Sequence, residues 1–173
     1  MKNVVLVSLL IILLLPACDY AKFDRYPGTK LDSIPQEFRG IYKDPDKKSK
    51  IQNNIIVEKN YWMESTKSAK YYLSDSFILS TYKGDYFLTT LEDNKRACYV
   101  LYLKTSGTDL LLYPILYDDK KPKEKNSMTK YFSPQIEKDS STVFMMNEEK
   151  LWEYTQKELL KGESMKLKRQ VSK

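Results

Sequence analysis

The 173-residue chain carries 29 Lys and Arg against 23 Asp and Glu, a formal net charge of +6, and contains no histidine. The missing imidazole excludes Ser–His–Asp hydrolysis, His-ligated zinc and imidazole acid–base chemistry, and five scattered glycines form no phosphate-cradling loop. No cofactor or metal is expected, and the basic surplus lacks the clustering of a nucleic-acid groove.

At the N-terminus, Lys2 precedes a twelve-residue apolar run, Val4 to Leu15, interrupted only by Ser8. A membrane-spanning helix needs ~20 apolar residues, so this run is too short to be a comfortable anchor and reads as a signal-peptide core. Leu15-Pro16-Ala17-Cys18 resembles the bacterial lipobox, in which a Leu three positions before a Cys and a small residue just before it direct lipoprotein processing. The resemblance implies that residues 1–17 are a lipoprotein signal peptide cleaved at Ala17–Cys18. It also implies that Cys18 receives a diacylglyceryl thioether and an N-acyl chain, which place the protein on a membrane of a bacterial cell envelope. Which membrane stays open. Two or three acyl chains hold a protein firmly where one gives only marginal binding. With Cys18 so modified, Cys98 has no disulfide partner; it lies in the apolar run Ala97 to Leu103 and is expected to pack as a small hydrophobe.

Residues 18–33 contain Pro27 and Gly28 but no period, and are expected to form a flexible tether. A single β-rich domain is expected over 34–173. Short runs of Val, Ile, Thr, Tyr and Phe between turn-formers predict strands at Phe38–Tyr42, Ile51–Glu58, Tyr61–Thr66, Ala69–Ser74, Phe77–Lys83, Tyr86–Leu91, Ala97–Lys104, Asp109–Tyr117 and Thr142–Met146. Gly84-Asp85 and Ser106-Gly107 mark hairpin turns. Pro114 lacks an amide donor and should face an edge or bulge. The mixed-charge run Asp118 to Lys125, broken by Pro122, reads as a solvated loop.

One helix is predicted from about Glu148 to Lys161, capped by Asn147, with Glu148 and Glu149 at its positive end and Lys157 and Lys161 at its negative end. Gly162 would supply a left-handed stop. Leu151, Trp152, Thr155 and Leu159 share a face that should dock on the sheet. Met165–Gln170 returns as a last short strand. The fold class is therefore mainly β, an antiparallel barrel or sandwich with one C-terminal helix.

Gly40-Ile41-Tyr42 is similar to the Gly-x-Trp signature of lipocalins, with Tyr in place of Trp. Thr108-Asp109-Leu110-Leu111-Leu112-Tyr113 is similar to their Thr-Asp-Tyr-x-x-Tyr segment, with Leu110 at the first Tyr. Arg169 is a possible substitute for the Arg that closes the lipocalin barrel. The texture also resembles small lipoproteins of the Bacteroidetes type, from which no activity follows.

The lipocalin resemblance implies a barrel with room for about one small ligand. Its wall would combine Tyr99, Leu101 and Leu103 with Leu111, Tyr113 and Ile115, or use the opposite faces, because a one-residue slip exchanges them. The expected function is non-catalytic binding of a small apolar or amphipathic ligand by a lipid-anchored envelope protein. Two alternatives stand beside it. One is an accessory subunit acting through its surface on an envelope protein. The other is a glycan-binding or glycan-active protein, with Tyr61-Trp62 and Tyr71-Tyr72 as stacking candidates and Glu58, Glu64, Asp75, Asp85 and Glu92 as carboxylates. Asp44-Pro45-Asp46 lacks the spacing of a calcium loop and reads as a turn.

Overall fold

In a computed structural model, the structure describes residues 20–43, 54–65, 70–91, 97–118, 120–136, 142–162 and 164–170. Cys18, Asp44 to Asp46 and Glu92 lie outside the described residues. Among the described residues no helix is long and apolar enough to cross a membrane.

The described strands are β1 (Lys22–Phe23), β2 (Thr29–Lys30), β3 (Gly40–Lys43), β4 (Asn54–Val57), β5 (Tyr61–Glu64), β6 (Lys70–Tyr72), β7 (Phe77–Tyr82), β8 (Asp85–Leu91), β9 (Cys98–Ser106), β10 (Asp109–Pro114), β11 (Pro134–Ile136), β12 (Thr142–Phe144) and β13 (Met165–Arg169). Helices α1 (Pro122–Tyr131) and α2 (Glu148–Lys157) and two 3-10 turns, Gln36–Phe38 and Leu159–Lys161, complete the set. The fold is mainly β, as the sequence predicts. One sheet follows the order β11-β12-β1-β9-β10-β13-β3-β4-β5-β6, and β7 and β8 extend from β9 on its other side. Every pairing is antiparallel except that of β1 with β12.

This sheet curls into a half-barrel. Side chains from β3, β4 and β5 meet those from β7, β8, β9 and β10 in one buried cluster that includes Tyr42, Val57, Trp62, Leu79, Leu103, Leu110 and Leu167. The curl persists because strands twist right-handedly and period-2 alternation sends every second residue inward. β13 makes the curl continuous: it pairs Leu110 with Leu167 on one side and Tyr42 with Arg169 on the other. A second core fills the outer face, where Phe23, Phe87, Tyr102 and Phe144 pack against Met128, Phe132, Leu151 and Tyr154 of the helical segments. Phe23 and Phe132 meet edge-on at 5.2 Å, a geometry favoured by the ring quadrupoles.

Local chemistry explains the turns. The β7–β8 hairpin turns at Lys83-Gly84, one residue before the expected position, with φ of 51° and 83° at the two central residues. That pair of positive φ values is a type I′ turn, which matches strand twist and suits Gly at the second position. Lys83 tolerates the conformation while its ammonium bonds Glu149 at 2.6 Å and lies 4.6 Å from the Trp152 ring centroid. Asp85 completes this clamp on α2, accepting from the Tyr102 hydroxyl at 2.9 Å and the Gln156 amide at 3.0 Å. The β9–β10 hairpin turns at Gly107-Thr108, between the paired Ser106 and Asp109. Pro114 sits at the end of β10, beyond the stretch that β13 covers, so its missing donor breaks no ladder there.

Four expectations are corrected. From Tyr20 onward the expected tether is built into the domain: β1 and β2 join the sheet, and Ala21 and Phe23 are fully buried. The domain therefore begins before residue 34. The run expected as a solvated loop forms α1 from Pro122, because proline at the first helical position forfeits a donor that has no helical acceptor anyway. The C-terminal helix ends at Lys157 and continues as a 3-10 turn, and Gly162 has φ −80°, so its stop is extended rather than left-handed. Phe38 belongs to a 3-10 turn that seats it in the inner core, and the first strand of the curl starts at Gly40. The Asn147 cap is as expected, its side chain accepting from the Lys150 amide at 3.0 Å.

Candidate functional site

Residues singled out by the lipocalin resemblance gather at one end of the curl. Tyr42 is fully buried and pairs with Arg169 across β3 and β13. The Arg169 guanidinium lies 5.4 Å from the Tyr42 ring centroid, and its Nη2 is 2.9 Å from the Tyr42 hydroxyl, 2.6 Å from the Glu37 carbonyl and 2.7 Å from the Arg39 carbonyl. The Tyr42 hydroxyl in turn donates to the Phe38 carbonyl at 2.9 Å. Gly40 has φ +152°, and a Cβ there would stand 3.1 Å from Arg169 Nε. Glycine is thus required twice at this position, for its backbone angle and for the close passage of Arg169. Asp109 bonds Lys166 at 3.0 Å. That bond, helped by the Arg169 backbone amide, holds its carboxyl below the usual range. Thr108 is exposed in the adjoining turn. These groups join β3, β10 and β13 at this end of the curl.

The expected ligand wall does not form one surface. β9 and β10 pair Leu101 with Pro114, Tyr102 with Tyr113 and Leu103 with Leu112. Directly paired residues point to the same face, so Leu101 and Leu103 join the inner core together with Leu110 and Leu112. Tyr113 and Ile115 join the outer core beneath the helices, with Leu111 packed at its margin. Tyr99 sits at the end of β9, its ring 5.9 Å from that of Tyr20. The set mixes two faces because the β9–β10 register opposes odd-numbered residues to even-numbered ones.

A different corner of the concave face combines apolar and polar groups. Trp62 pairs with Tyr71 across β5 and β6, and Glu64 follows two residues along β5 on the same face. Glu64 is 3% exposed. The Tyr71 ring lies 5.9 Å from that of Phe77, and its buried hydroxyl has no hydrogen-bond partner among the described residues. Burial, with a smaller contribution from the Glu64 charge, raises the Tyr71 phenol above its ordinary value. A buried donor left unpaired among apolar groups is a candidate contact for a ligand's acceptor. Trp62, Glu64 and Tyr71 are among the residues that the sequence offers for glycan chemistry.

The other glycan candidates separate. Tyr61 and Tyr72 pair on the outer face with centroids 5.6 Å apart, and Lys70 lies 4.7 Å from the Tyr61 centroid. Glu58 is exposed, Asp75 bridges Lys30 at 2.9 Å, and Asp85 is engaged by α2. Cys98 is fully buried in the outer core, as a packing thiol should be.

No family model matches the chain, and comparison with curated proteins and with solved structures likewise finds no match.

Proposed function

We propose that this chain is a lipid-anchored protein of the bacterial cell envelope, attached through Cys18, that binds a small amphipathic ligand without catalysis. The Tyr71 hydroxyl carries the ligand reading: a buried phenol without a partner, beside Trp62 and Glu64 on an apolar concave face, costs stability that a bound acceptor would return. The ligand fitting this corner has an apolar body with a hydroxyl- or carbonyl-bearing end. Native mass spectrometry of protein extracted gently from its own membrane tests it. A co-purifying molecule is expected on the wild-type chain, with occupancy falling about tenfold in Tyr71→Phe, the value of one hydrogen bond. Equal occupancy in the two, or an empty wild-type chain, contradicts the reading.

The packing of the inner core favours a second reading, that of an accessory subunit. Tyr42, Val57, Leu79, Leu110 and Leu167 are essentially without exposed surface and occupy the concavity themselves. In that case the chain extracts empty, and a stoichiometric envelope partner is captured through its outer surface.

A further inference from the structure

The chain enters its fold almost at once. Tyr20 bridges Leu116 in antiparallel register, and the Ala21 amide donates to the Ile115 carbonyl at 2.9 Å. Ala21 and Phe23 are fully buried. Only Asp19 separates Tyr20 from Cys18 in the sequence. An extended chain advances at most about 3.6 Å per residue, so two residues span at most about 7 Å. Acyl chains on Cys18 begin at the level of the lipid glycerol groups. The domain surface around Tyr20 must then meet the bilayer, since no slack exists to lift it away.

Strand register identifies what else stands nearby. β1 pairs in parallel with β12, Lys22 opposite Val143, so Ala21 is level with Thr142. Thr142 pairs with Ile136 on β11, the outermost strand of this side. Two strand spacings of about 4.8 Å therefore put Ile136 about 10 Å from Ala21. Ile136 is 80% exposed, against 52% for Tyr72 at the far end of the sheet order. A lone exposed isoleucine is ordinary on a protein surface. One so close to the point of membrane attachment has an apolar phase within reach.

We infer that the protein rests directly on its membrane, with the Tyr20–Leu116 bridge and the β11–β12 pair against the bilayer and Ile136 entering the interface. This seating rests on the reading of Cys18 as the lipidated residue. The test uses full-length chains processed in a bacterial host, reconstituted into vesicles with brominated acyl chains. Ile136→Trp and Tyr72→Trp are compared after subtracting the emission of Trp62 and Trp152 in the wild-type chain. The intact mass of each sample is recorded first. The expected result is an acylated mass, with most of the emission added at position 136 lost to bromine and that added at position 72 retained. An acylated mass with equal emission at the two positions overturns the seating alone. An unacylated mass overturns the anchor and the seating with it.

Discussion

Arg169 spans the Tyr42 ring and bonds its hydroxyl while also reaching the carbonyls of Glu37 and Arg39. One side chain from the last strand thus fixes the 3-10 turn and first strand of the curl, residues far removed in sequence. The contact is both electrostatic and geometric. A planar guanidinium presents several donors in one fork while stacking on an aromatic face, a combination lysine lacks.

Replacement of Arg169 by Ala removes charge-assisted hydrogen bonds and the stacking contact together. A loss of about 2–4 kcal/mol is expected, read as a lower urea midpoint with an unchanged slope. Arg169→Lys should recover less than half of it. Full recovery by lysine would show that charge alone closes this end.

Gly40→Ala imposes an unfavourable backbone angle and crowds Arg169 Nε. A cost of about 1–3 kcal/mol is expected from the backbone alone. The same change should cost less when Arg169 is already Ala, because the steric part then vanishes. A double-mutant cycle measures that coupling, and strict additivity would mean the two residues do not touch.

Alkaline pH probes the outer core. Burial pushes the Tyr154 phenol up to about 12 from the ordinary 10.0, and burial with the Asp85 hydrogen bond raises Tyr102 further. Both folded-state values exceed the unfolded ones. The stabilisation is therefore complete below pH 10 and is lost as pH rises through the folded values. Between pH 10 and 12 the wild-type chain should lose about 2–3 kcal/mol more than Tyr154→Phe, read from urea midpoints at each pH. Parallel losses in the two chains would refute the assignment to Tyr154.

Asn147 supplies the acceptor that the first turn of α2 lacks. Asn147→Ala should cost about 1 kcal/mol, whereas Asn147→Asp should cost little, since a carboxylate also accepts from the Lys150 amide. Equal thermal midpoints for all three chains would show that the cap adds nothing.

Much of this architecture is legible in the residues. Val, Ile, Tyr and Phe runs locate β4 to β10, and Asn147 with its following glutamates locates α2. The harder features depend on partners distant in sequence. No local rule says that Tyr102 opposes Tyr113 rather than a neighbour, and one residue of slip turns a wall into two faces. β1 is two residues long and owes its existence to edges offered by β9 and β12. α1 contradicts the usual reading of proline in a charged run, because Pro122 falls where a helix begins. At the β3–β13 end, Gly40, Tyr42 and Asp109 carry the resemblance to one family and Arg169 is only a possible substitute for its Arg; that these four residues are neighbours is visible only in the fold. The Trp62–Glu64–Tyr71 corner is legible in the sequence only as separate residues. Alternation puts Trp62 and Glu64 on one face, but Tyr71 joins them through the β5–β6 register.

The proposed function and the proposed seating on the membrane both depend on a lipid at Cys18. Intact-mass and N-terminal fragment spectra of the chain recovered from bacterial membranes test it directly. The expected spectrum starts at Cys18, without residues 1–17, and carries a diacylglyceryl group on sulfur with a further acyl chain on the amine. A chain beginning at an unmodified Cys18 or at Asp19, or one retaining residues 1–17, would contradict it.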